Sequence, residues 1–227
     1  MAQSVLIIGN SGSGKSTSMR NLNPEETFII NPASKGLPFK GWKKKYTLLS
    51  KENLQGNMSY IYSAHGILKC MKHVSDKMPH IKVLIVDDLQ FMSSFEYFER
   101  AHEKGYDKFT QIATNLASVA KLPIDLREDL YIFFMTHSEE IDINGVKFVK
   151  AKTVGKMIDN SLTLEGLFST VLFCNTKKLD DGSIKYGFDT KTNGANTCKS
   201  PMEMFEHSFI PNDIKHVIDC MVKYEND

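Results

Sequence analysis

Residues 9–17, Gly9-Asn10-Ser11-Gly12-Ser13-Gly14-Lys15-Ser16-Thr17, fit the pattern G-x-x-x-x-G-K-[ST] throughout and follow directly on the apolar run at 5–8. Glycines let a backbone curl until successive N–H groups point inward, where phosphate oxygens accept from them. A helix starting near Lys15 would add its positive end to that cradle. Lys15 would reach the β- and γ-phosphates, and the Ser16 hydroxyl would ligand Mg²⁺. The expected chemistry is capture of a magnesium nucleotide, with Gly9, Asn10, Ser11, Gly12, Ser13, Gly14, Lys15, Ser16 and Thr17 as the contact set.

A magnesium nucleotide needs a second anchor. Lys82-Val83-Leu84-Ile85-Val86-Asp87-Asp88 supplies a buried strand ending in carboxylates, the form of a Walker B segment. Asp87 would hold the Mg²⁺ shell through water. Asp88 has two readings: it orients or deprotonates the attacking water, or it caps a helix beginning at Leu89. A third apolar run, 130–135, ends in Thr136-His137, polar groups at the carboxyl edge where open α/β sheets bind ligands. His137 is accordingly either a γ-phosphate sensor or an ordinary loop histidine.

These side chains need a scaffold that brings strand ends together. Residues 5–8, 27–31, 59–63, 83–86, 130–135 and 170–174 are short apolar runs of the kind found in strands buried on both faces, which implies a parallel sheet. Ile67, Met71, Val74 and Met78, and then Phe109, Ile112, Leu116 and Val119, recur at helical spacing between them. Strand and helix in alternation predict an α/β sheet wound by crossover helices. The last third changes character. Asn144-Gly145 lies between alternating apolar residues and predicts a hairpin, and Asp181-Gly182 predicts a second one returning through Ile184, Tyr186 and Phe188. Pro211-Asn212-Asp213 ahead of Ile214, Val217, Ile218, Met221 and Val222 predicts a capped amphipathic helix.

Composition narrows the class further. The chain has 227 residues, 41% of them hydrophobic and 24% charged, which excludes disorder, collagen and coiled coil as descriptions of the whole and allows a single domain over 1–227. Twenty-eight basic residues nearly cancel 27 acidic ones, so any nucleic-acid contact must come from a local patch. Cys70, Cys174, Cys198 and Cys220 show neither zinc spacing nor a disulfide framework, which fits a reducing cytoplasm. No run approaches the roughly 20 apolar residues of a membrane span, and the first residues lack a signal-peptide pattern. Lys43-Lys44-Lys45 beside Trp42 is expected to be a solvated loop.

Taken in order, GNSGSGKST, KVLIVDDLQ, FFMTHSE, the Gly155-Lys156 pair and the terminal IPNDI resemble the phage-encoded RecA-like P-loop ATPases associated with single-strand annealing and recombination. The resemblance covers nearly the whole chain, with the two Walker motifs its specific part. It implies a RecA-type core using ATP and Mg²⁺, single-stranded DNA as partner, a homo-oligomer with ATP near an interface, and phage or host recombination proteins as associates in the host cytoplasm. It also implies roles in the basic segment after the sensor strand, where Lys147, Lys150, Lys152 and Lys156 occur with no acid between 145 and 156: Lys150 and Lys152 as DNA contacts, and Lys156 as a lysine reaching the ATP of an adjacent subunit. There is one departure. RecA-like proteins carry a catalytic Glu just after the second core strand, whereas here 28–30 run into Asn31-Pro32-Ala33-Ser34-Lys35 without an acid, which leaves Asp88 as substitute and allows slow hydrolysis. The VDDLQF string also resembles the DnaA-like AAA+ ATPases. An AAA+ loader or motor, a nucleoside or nucleotide kinase and a slow nucleotide switch are the competing functions. A kinase would want clustered lid arginines, and the chain has only Arg20, Arg100 and Arg127.

Overall fold

The apolar runs of the sequence become the middle of one sheet in the computed structural model, which describes residues 1–143, 145–153 and 163–226. In chain order the strands are β1 (Gln3–Gly9), β2 (Thr27–Ile30), β3 (Met58–Ser59), β4 (Val83–Val86), β5 (Tyr131–Ile143), β6 (Val146–Ala151), β7 (Thr170–Lys178), β8 (Ile184–Asp189) and β9 (Phe209–Pro211). Their order across the sheet is β3-β2-β4-β5-β1-β7-β8-β9, with β6 paired to β5 off this path. From β3 to β7 every pairing is parallel; β5–β6, β7–β8 and β8–β9 are antiparallel. The protein is therefore α/β, with a mixed, mostly parallel sheet.

Helices are α1 (Trp42–Lys45), α2 (Ala64–Lys77), α3 (Gln90–Glu99), α4 (Asp107–Lys121) and α5 (Ile214–Asn226). Strand residues alternate between two cores, which is why the central strands are apolar on both faces. Leu6, Ile8, Phe28, Ile30, Leu84 and Phe134 pack with Ile67, Met71 and Val74 of α2 and with Leu116 and Val119 of α4. Val5, Ile7, Ile29, Ile85 and Phe133 pack on the other side with Met19 and with Ile214, Val217 and Met221 of α5. The predicted cap is present: Asp213 Oδ1 accepts from the Lys215 N–H at 3.0 Å.

β5 changes partner halfway along, and the change marks the site. It runs parallel to β1 from Gln3↔Tyr131 to Gly9↔His137. From Ser138↔Ala151 onward it is antiparallel to β6. Asn144 lies outside the described residues, and Gly145 turns in the left-handed region at φ 82° with its N–H held by Asp142 Oδ1 at 2.8 Å. The second hairpin turns where expected, with Lys178 opposite Ile184 and Gly182 at φ 82°. No helix among the described residues is long and apolar enough to cross a membrane.

Three expectations need correction. Lys43-Lys44-Lys45 is solvated as expected but forms the short helix α1 with Trp42 rather than a loop. The helix expected after Lys15 is only a 3-10 turn, Ser16–Met19. Ser16, Thr17 and Ser18 are weak helix formers and Pro24 comes soon after, so little chain remains before β2 in which to build turns. The strand expected over 59–63 is cut to Met58–Ser59. Ser63 instead leaves the sheet and caps α2, its side chain accepting from the Gly66 N–H at 3.2 Å.

Candidate functional site

Because β5 lies between β4 and β1, the carboxyl ends of these strands place Asp87 and Asp88, His137 and Gly9 side by side. Asp88 and His137 border a cavity of about 770 Å³ lined by Ser11, Gly12, Gly14, Lys15, Ser16 and Thr17, with Arg20, Lys35, Tyr186 and Asn212 among its other walls. That volume is in the range of ligand pockets. Two positions show why the loop is glycine-rich. Gly14 has φ 102°, and a Cβ there would lie 3.1 Å from Tyr186 Cδ1; a Cβ on Gly9 would lie 2.8 Å from the Cys174 carbonyl oxygen. Asn10 pins the loop to β5, its Oδ1 accepting from Ser138 Oγ at 2.7 Å.

Lys15 is buried rather than exposed. Its ammonium donates to the Gly9 carbonyl at 2.8 Å and the Asn10 carbonyl at 3.1 Å, folding the side chain back along its own loop. Burial lowers its pKa from 10.5 to about 8, against the opposing pull of Cys174 and Asp87. A phosphate ligand restores the charge, so the bound form keeps its proton to higher pH. If the loop takes a nucleotide, its affinity is therefore expected to be flat below pH 8 and to weaken above it, approaching about tenfold per pH unit. Titration calorimetry in buffers of different ionisation enthalpy would detect the proton uptake; equal heats in all buffers at pH 9 would contradict it.

Ser16 and Asp87, 71 residues apart, meet: Ser16 Oγ lies 2.9 Å from both Asp87 carboxylate oxygens. Asp87 is fully buried, and burial raises its pKa despite the counteracting Lys35, Ser16, Lys15 and His137. One hydroxyl and one carboxylate, both hard oxygen donors, fit Mg²⁺, which keeps several waters and takes its remaining ligands from phosphate. Asp88 is also fully buried, at φ 62°, where Asn and Asp are the side chains best tolerated after glycine. It does not cap α3, whose N-cap is Leu89 with no side-chain capping bond. One oxygen of Asp88 is ion-paired to Lys35; the other, Oδ1, has no hydrogen-bond partner.

His137 Nε2 lies 3.4 Å from that free oxygen. The contact is not a salt bridge at neutral pH, because burial first, then Lys15, Lys35 and Lys152, lowers the imidazole to a pKa of about 4. Gln90 holds the strand end in place: its Oε1 accepts from the His137 N–H and from Thr136 Oγ1, each at 3.1 Å.

The basic segment is more neutral in space than in sequence. Lys150 pairs with Glu139 at 3.1 Å and Lys147 with Glu140 at 2.8 Å, acids of the facing strand. Lys152 is exposed, and its N–H donates to the His137 carbonyl at 2.8 Å, so its backbone lies beside His137 on β5. Gly155 and Lys156 lie outside the described residues.

Residues that sequence reasoning passed over complete the cavity. Arg20 Nη1 donates to the Thr17 carbonyl at 3.1 Å and the Asn212 carbonyl at 2.6 Å, and Asn21 Nδ2 donates to Asp213 Oδ2 at 2.7 Å, so the terminal IPNDI segment clasps the chain just after the loop. Tyr186 faces Gly14 from β8. Lys35 had a detectable signal: it lies in the segment inspected for a missing acid. No protein-family model matches the chain, and no curated protein matches it.

Proposed function

We propose that the protein is a RecA-like P-loop ATPase that binds ATP with Mg²⁺ and acts on single-stranded DNA in recombination or strand annealing. The observation that carries the nucleotide part is convergence: Lys15, Ser16, Asp88 and His137, drawn from three separate sequence segments, line one cavity, and the buried Asp87 joins them through Ser16. Lys15 and the loop N–H groups would hold the phosphates, and Ser16 with Asp87 would hold the Mg²⁺, which neutralises phosphate charge. The reaction would be hydrolysis. A water oxygen bonds to the terminal phosphorus as the bond to the bridging oxygen breaks, the electron pair leaves on the diphosphate, and the water's proton passes to Asp88. A neutral His137 at the strand end would donate to the terminal phosphate rather than take that proton.

The kinase alternative is disfavoured by where the arginines are engaged. Arg20 is held by two backbone carbonyls, Arg100 by Glu96 and Glu103, and Arg127 by carbonyls of Val74, Ser75, Met78 and Ile81, so none of them forms a lid over the cavity. DNA binding rests on the family resemblance and on the hairpin lysines. Lys150 would have to leave Glu139 to reach a phosphate, whereas Lys152 would not leave a carboxylate to do so. Lys152→Ala should therefore lower the salt slope of single-strand binding by about 0.7, and Lys150→Ala by less. Unchanged slopes in both variants would remove the hairpin from the DNA interface. ATP turnover measured with and without single-stranded DNA tests the whole proposal: stimulation supports it, while turnover only in the presence of a small phosphoryl acceptor would favour a kinase.

A further inference from the structure

The cavity is lined by two lysines that the phosphate-loop motif does not supply, Lys35 and, on β8, Lys185; only Lys35 is ion-paired with Asp88 among the described residues. Lys35 follows β2, borders the cavity and ion-pairs with Asp88. Its place is built by the turn beneath it. Asn31 is fully buried; its N–H donates to the Ser59 carbonyl at 2.8 Å and its Nδ2 to the Lys35 carbonyl at 2.7 Å. Ser34, at φ 54°, closes the turn with its N–H on the Asn31 carbonyl at 3.0 Å. These bonds fix where the Lys35 backbone leaves the sheet. The side chain itself remains 44% exposed, against 1% for Asp88. The pair thus joins a fixed, buried carboxylate to an ammonium with room to move.

The sheet order β2-β4-β5-β1 puts the strand ends that lead to Lys35 and Asp88 beyond β5 from the strand that opens the phosphate loop. Lys35 and Asp88 line the same cavity as the loop, at the end where the terminal group of a phosphate chain anchored on the loop would lie. We infer that Lys35 is a γ-phosphate latch: it holds Asp88 in the free protein and transfers to the terminal phosphate of a bound triphosphate, leaving Asp88 able to accept the proton of the attacking water. A diphosphate stops short of Lys35 and leaves the ion pair closed. This inference rests on the nucleotide site proposed above and adds to it a residue that distinguishes triphosphate from diphosphate.

The discriminating quantity is the ratio of affinities for the nonhydrolysable analogue AMP-PNP and for ADP, each with Mg²⁺, measured by titration calorimetry on the full chain. Lys35→Gln should weaken AMP-PNP binding at least about tenfold, the scale of one charge-assisted contact, and leave ADP unchanged. Asp88→Asn, which releases the ammonium, should bind AMP-PNP at least as tightly as wild type. Lys35→Gln leaves the buried Asp88 carboxylate without its ion-pair partner, so its melting temperature should fall; titration well below the variant's own melting temperature, with ADP affinity kept, is the control for folding. An unaltered AMP-PNP to ADP ratio in Lys35→Gln would overturn the latch while leaving nucleotide binding standing. Failure of the wild type to bind either nucleotide would overturn the nucleotide site, and the latch with it.

Discussion

Lys15→Ala is expected to reduce ATP turnover by about 10²–10³-fold, the usual cost of deleting one preorganised charge at a phosphoryl-transfer centre. Two features of the site make the effect large. Lys15 is buried, so its charge acts in a weakly screened environment. Among the described residues its hydrogen-bond acceptors are the Gly9 and Asn10 carbonyls of the same loop, groups that a phosphate readily replaces. The variant should still fold, because the core around β1 is built by Val5, Leu6, Ile7 and Ile8 rather than by the lysine. Burial also lowers the lysine's pKa, which means that its charge costs stability in the free protein, so the melting temperature should hold or rise. Initial-rate assays with matched melting curves check both points. Normal turnover in a folded Lys15→Ala protein would sink the phosphate role of the loop.

The two adjacent aspartates should separate by function. Asp88→Asn is expected to cut turnover by about 10²–10⁴-fold, the range for loss of a general base, with MgATP still bound. Asparagine accepts the left-handed backbone at this position, so strain does not confound the result. Asp87→Asn should also lower turnover, through weakened metal support, while raising thermal stability in the absence of nucleotide. The sign follows from the raised pKa of Asp87. The fold binds that proton more tightly than the unfolded chain does, so the associated stability is complete below the unfolded carboxyl's pKa and is lost as pH rises through the folded one. At neutral pH the buried carboxylate is a cost that asparagine does not carry. Each kcal/mol recovered would raise the melting temperature by about 2–4 °C in a chain of this size. Near-normal turnover in Asp88→Asn would return this residue to a purely structural role.

Much of the site was legible because its chemistry is local in sequence. The loop motif specifies its own curl, and the all-apolar runs at 5–8 and 83–86 announce strands buried on both faces, so the meeting of Ser16 with Asp87 could be expected from pattern alone. What was not legible depends on distant partners. The charged residues of 145–156 are all lysines, but Glu139 and Glu140 on the facing strand neutralise two of them, and only the hairpin register reveals it. The residues at 59–63 read as a strand by composition, yet Ser63 is needed to cap α2. Lys35 belongs to no motif; its value comes from Asp88, 53 positions away and held by an unusual backbone angle. Tyr186 reads as one more strand residue until β8 is found opposite Gly14.

The central claim, a single magnesium-nucleotide site formed by Lys15, Ser16, Asp87 and Asp88, is tested most directly by calorimetric titration of ATP into the protein with Mg²⁺ and again with Mg²⁺ removed by chelation. One bound nucleotide per chain is expected, with affinity clearly reduced on chelation and nearly lost in Lys15→Ala. Absence of saturable binding at millimolar ATP, or binding that neither chelation nor Lys15→Ala alters, would contradict it.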